Sequence, residues 1–181
     1  MLLNKENSLV LIIDVQEKLV AALDKDIVVN KTSILANAAK LLNIPIIVTQ
    51  QYSKGLGETD IRVRQNFTQE TQVFEKTAFS VLKEPGFLDL LKSYNKKQIV
   101  ICGIETHICV YQTAVSLIKE GFEVYVAKDA CASRKKYEFK TGIDLMQQNG
   151  AKISCLETIL FEWIEDAKSP YFKDLQQLIK G

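Results

Sequence analysis

Ser8-Leu9-Val10-Leu11-Ile12-Ile13-Asp14-Val15-Gln16 is the stretch that decides the fold. Aliphatic residues run without alternation from Leu9 to Ile13 and then stop at a carboxylate. A strand with one wet face would alternate apolar and polar side chains. An unbroken Ile/Val/Leu run instead suits a strand covered on both faces, as in a parallel sheet. Two further runs share this character, PIIVT at 45–49 and QIVIC at 98–102. FEVYVA at 122–127 makes a fourth run, and AKISC at 151–155 a weaker fifth.

Helical spacing fills the gaps. Residues 27–43 repeat apolar side chains at Ile27, Ile34, Leu35, Ala38, Ala39, Leu41 and Leu42, and stop at Asn43 ahead of Pro45. Residues 87–94 follow Pro85-Gly86. The segments 107–119 and 137–149 each end one or two residues before a glycine, Gly121 or Gly150, placed for a C′ turn. Phe172, Leu175, Leu178 and Ile179 mark a terminal amphipathic helix. Strands alternating with helices predict an α/β fold with a mostly parallel sheet. The polar stretch 50–73 reads as the longest connection, of the kind that becomes a binding loop.

At 181 residues, with neither repeats nor a linker, the chain reads as one domain spanning 1–181. A domain of that size removes roughly 70% of its unfolded surface from water, enough for a core without staples. With 23 Lys+Arg against 22 Asp+Glu, it offers no global attraction to nucleic acid. Aromatic residues do not form a stacking platform beside a basic stripe. No apolar run approaches the roughly 18 residues that span a membrane, and the start lacks signal-peptide order. The four cysteines make no zinc spacing, and a single histidine excludes a multi-histidine metal site. The expectation is a cytoplasmic protein with reduced thiols.

In open α/β sheets, ligands bind beyond the carboxyl ends of the strands. The runs deliver Asp14 and Gln16 there, then Gln50, Gln51 and Tyr52, then residues 103–109, then Lys128 and Asp129. Asp14 serves equally as a cap or as a general base. Cys109 falls in the first turn of a helix, where N–H groups and the dipole favour a thiolate and lower its pKa. Its alternative is a small buried hydrophobe. Thr106 is placed to cap that helix. His107, two residues from Cys109, should not share its face. Lys76 reads on residues alone as a solvated lysine with its stem on apolar surface. Gly55-Leu56-Gly57 is too short for a dinucleotide fingerprint, and no P-loop occurs.

Val10 to Gln16, Glu75-Lys76-Thr77-Ala78-Phe79-Ser80 and Gly103-Ile104-Glu105-Thr106-His107-Ile108-Cys109-Val110 together resemble the isochorismatase-like cysteine hydrolases. The stretches 49–57 and 129–134 resemble the isochorismatase domain-containing branch, whose members lack an assigned substrate. The resemblance implies a three-layer Rossmann-like fold around six mostly parallel strands and a catalytic triad at Asp14, Lys76 and Cys109. It implies a cis peptide between Ile104 and Glu105, with backbone N–H groups of the 105–109 turn as an oxyanion hole. The implied reaction is hydrolysis of a small molecule with an amide-like C–N bond through a thioester on Cys109. Gln16, Gln51, Tyr52, Phe79 and Thr106 are candidate substrate contacts. Nicotinamidases of the superfamily hold a metal with histidines after the second strand, and residues 50–59 contain none. No metal and no cofactor is therefore expected. Self-association into a homo-oligomer is. A catalytically silent scaffold and a redox-sensing thiol protein are the competing readings.

Overall fold

The computed structural model describes residues 2–23 and 26–180. Six strands form one sheet: β1 (Ser8–Ile13), β2 (Ile46–Gln51), β3 (Gln72–Lys76), β4 (Gln98–Ile104), β5 (Glu123–Ala132) and β6 (Lys152–Ser154). Their spatial order is β3-β2-β1-β4-β5-β6, and every pairing is parallel. The chain winds outward from β1 to β3, then crosses back and winds the other way from β4 to β6. The reversal falls between β1 and β4, and a crevice at such a switch point is where α/β folds place ligands. Helices cover both faces, giving three layers in all. All residues of β1 and β4 are buried, as unalternated runs require.

The helices are α1 (Glu17–Leu23), α2 (Asp26–Leu41), α3 (Ser53–Leu56), α4 (Ile61–Arg64), α5 (Phe87–Ser93), α6 (Tyr111–Lys119), α7 (Lys136–Gln148), α8 (Leu156–Ile164) and α9 (Phe172–Lys180). A short π-type turn, Thr106–Val110, leads into α6. Gly121 and Gly150 follow α6 and α7 with φ of +83° and +97°, the left-handed C′ position their helices need. No helix of the described residues is long and apolar enough to cross a membrane.

Three features depart from the sequence reading. The stretch 50–73 is not an extended loop: it holds the end of β2, α3, α4 and the start of β3. β3 hid in the sequence because it is an edge strand, in which only Lys76 is buried. β5 continues to Ala132, so Lys128 and Asp129 lie within the strand rather than at its carboxyl end. Asp129 is spent on structure: it accepts from Leu156 N at the start of α8 (2.7 Å) and pairs with Lys31 (3.6 Å).

Candidate active site

Asp14 leaves β1 with φ +49°. Its oxygens do not cap α1. Oδ1 accepts from the Thr49 hydroxyl at 2.6 Å, and Oδ2 lies 2.7 Å from Lys76 Nζ in an ion pair whose members are both fully buried. Among the described residues Oδ2 makes no hydrogen bond of good directional geometry, with Lys76 or any other group, so this contact is an ion pair alone. Lys76 is therefore the opposite of a solvated lysine: it is 1% exposed. Its ammonium also donates to Gln51 Oε1 (2.6 Å) and Ala78 O (3.1 Å). These two hydrogen bonds and the Asp14 carboxylate together compensate the buried charge.

Cys109 sits buried in the π-type turn after β4, and its thiol interacts with both Asp14 and Lys76. Its thiol is pushed up to about 12, first by burial and then by the Asp14 charge, with Lys76 pulling the other way. This corrects the expectation of a lowered thiol. The helix-start argument weighs only the dipole. Here desolvation and a neighbouring carboxylate outweigh the pull of the ammonium. At rest the group is a thiol, with an acid anion and an ammonium at its side.

Glycine makes the close approach of β1 and β4 work. Gly103 has φ +129°, and a Cβ on it would lie 2.0 Å from Ile13 O. Only an absent side chain lets the end of β4 lie beside Asp14. The next peptide, Ile104–Glu105, is cis. Glu105 is the residue at the N-cap position of the turn, and its carboxylate accepts from Arg134 N (3.0 Å) and Nε (3.1 Å). Thr106 does not cap, which corrects its expected role: its hydroxyl is buried with no hydrogen-bond partner among the described residues.

His107 turns away toward α7, with Nδ1 2.9 Å from Ser133 Oγ and Nε2 3.9 Å from Glu138 Oε2. Glu105, His107 and Glu138 place one donor atom each within 4.8 Å of one another, the geometry of a cation site. Arg134 already neutralises Glu105 there.

The candidate substrate contacts divide. Gln16 is fully buried; its amide donates to Gln51 O (3.1 Å) and Gly57 O (2.7 Å) and accepts from Gln51 N (2.7 Å). That saturates it, so Gln16 ties the end of β2 to α3 rather than facing a ligand. Gln51 holds Lys76 and donates to Thr77 O (2.7 Å). Tyr52 and Phe79 are 56% and 53% exposed, open to solvent beside these groups in sequence. Thr49 was missed: it closes an apolar run and reads as a strand residue. Its one signal was its pairing with Ile13, immediately before Asp14, once β1 and β2 are adjacent.

A cavity of about 240 Å³ is lined by Leu19 and Leu23 of α1 together with Ile104, Glu105 and Arg134. It abuts the cis peptide, on the path from β4 to Cys109. A buried acid–ammonium pair beside a thiol, at the switch point of a parallel α/β sheet, defines the class of fold and site. The isochorismatase domain matches residues 8–158, and the chain belongs to that family. Isochorismatase domain-containing protein 2 of Xenopus laevis is 35% identical over 98% of this chain and 85% of that protein. Among solved structures, the MAR1 ribonuclease from Caenorhabditis elegans superposes with a TM-score of 0.94 at 33% identity, covering 100% of this chain and 93% of that one. The YcaC gene product of Escherichia coli, described as an octameric hydrolase of unknown specificity, gives 0.89 at 25%, covering 99% and 95%.

Proposed function

We propose that the protein is a cysteine-dependent hydrolase of a small molecule bearing an amide-like C–N bond. The observation that carries this reading is the buried Asp14–Lys76 pair at 2.7 Å against the Cys109 thiol. Burying two charges is costly, and a hydrophobic pair of the same volume would serve stability as well. The pair makes chemical sense as a proton acceptor and a fixed cation around a nucleophile that is protonated at rest. Asp14 Oδ2 takes the thiol proton as sulfur bonds to the carbonyl carbon. The carbonyl oxygen gathers charge against backbone N–H groups of the 105–109 turn. The tetrahedral species collapses, the C–N bond breaks, and the proton passes to the departing nitrogen. Water then hydrolyses the thioester, delivering a carboxylic acid and the free thiol. Tyr52 and Phe79 are the substrate contacts in this reading. No step calls on a metal or cofactor.

A panel of small amides and esters, followed by intact-protein and peptide mass spectrometry, tests this. The expected result is an acyl adduct on Cys109 that Cys109→Ser cannot form. Turnover undiminished in Cys109→Ser would overturn the reading. The name of the C. elegans structure brings in a second reading, ribonuclease activity. An RNA oligonucleotide in the same panel separates the two, since RNA cleavage surviving Cys109→Ser would favour it. Homo-oligomerisation is proposed as well, after the octameric E. coli relative. Light scattering on a sizing column should give a mass several times 20.5 kDa.

A further inference from the structure

We infer that Thr49 is a positioning residue that fixes the orientation and charge of Asp14. The inference deepens the cysteine-hydrolase reading and rests on it. β2 lies between the strand that ends at the acid and the strand that ends at the amine. Thr49 is in register with Ile13 of β1, and Gln51 with Lys76 of β3. Residues two apart on a strand share a face. One face of β2 can therefore address both members of the buried pair, Thr49 the acid and Gln51 the amine.

Thr49 grips Asp14 twice. Its hydroxyl donates to Oδ1 at 2.6 Å, and its carbonyl accepts from Asp14 N at 3.2 Å. The side-chain bond lies in the interior, where Thr49 and Asp14 are both fully buried. A hydroxyl donating to a buried carboxylate favours the charged form. It also fixes the carboxyl plane, which leaves Oδ2 turned toward Lys76 and the thiol. The titratable groups that interact with Asp14 are Lys76, from β3, and Cys109, from the turn after β4. Thr49 reaches the reaction only through Asp14. Valine has nearly the shape of threonine and lacks the donor.

The test is the rate of Cys109 alkylation by iodoacetamide across pH, read on the Cys109 peptide so that exposed Cys155 does not contribute. It needs no substrate. The variants are Thr49→Val and Thr49→Ala without the donor, Thr49→Ser with it, and Asp14→Asn. Loss of one hydrogen bond to the carboxylate should slow Cys109 alkylation by about tenfold and change its pH profile in the Val and Ala variants. Thr49→Ser should restore the wild-type profile, which loss of packing alone would not do. Two donor-less variants guard against one that fails to fold. If Asp14→Asn alters the profile while folded Thr49→Val and Thr49→Ala match wild type, the inference is overturned and the hydrolase reading stands. If Asp14→Asn also leaves the profile unchanged, Asp14 is not the base, and both fall.

Discussion

At the scale of single residues, the protein is governed by how far burial outweighs local electrostatics. Cys109 stands at a helix start, where a thiolate should be favoured, yet its thiol is raised to about 12. Burial is the largest cause and the Asp14 charge the second. Removing that charge should therefore bring the thiol down from about 12. Ultraviolet thiolate absorbance of Asp14→Asn against pH measures this, with Cys109→Ser as the blank. In the proposed hydrolase reading the same variant should turn over slowly, by ~10²-fold or more, because that reading makes Asp14 the positioned base. A thiol that ionises more readily but reacts more slowly separates a base from a mere counter-charge. Asp14, Lys76 and Cys109 were identifiable in the sequence as a set through family resemblance. Their individual environments were not, because burial is set by residues distant in the chain.

At the scale of elements, the site depends on backbones brought closer than side chains allow. Gly142 of α7 faces the π-type turn, and a Cβ there would lie 2.8 Å from His107 Cα and 2.9 Å from Thr106 C. Both contacts are backbone and cannot swing aside. Gly142→Ala should push α7 off the turn, costing about 1–3 kcal/mol in urea unfolding. The shift should also slow Cys109 alkylation, because the turn carries the thiol. In the sequence Gly142 lies inside the helical segment 137–149, where a glycine registers only as a weak helix former. Sequence reading also missed β3. Gln72-Val73-Phe74-Glu75-Lys76 mixes charge with apolar residues because it pairs on one side only, and no run of aliphatics announces it.

At the scale of the whole molecule, the core is the pair of central strands and what they press against. Leu11 is fully buried in β1, and Leu11→Ala should cost about 2–5 kcal/mol, read as a lower urea midpoint with an unchanged slope. The buried thiols add a pH dependence. Cys102, in β4, is raised by burial from 9.0 to about 12, and Cys131 is raised by burial well above 9.0. A raised folded pKa gives stability that is complete below 9.0 and is lost as pH climbs toward about 12. Unfolding free energy should therefore fall across that window. In Cys102→Ala the fall should be less steep by about 1.4 kcal/mol per pH unit. The sequence by itself determined the parallel α/β architecture, because unalternated aliphatic runs separated by helical patterns call for a sheet covered on both faces by helices. It also marked the rim that holds the candidate site, because the runs end in polar residues. The tertiary structure alone decided that Lys76 is buried on Asp14, that Gln16 and Gln51 serve the scaffold, and that Thr49 grips the acid. Those outcomes turn on which strands become neighbours, and strand order is fixed by long-range packing that no local pattern encodes.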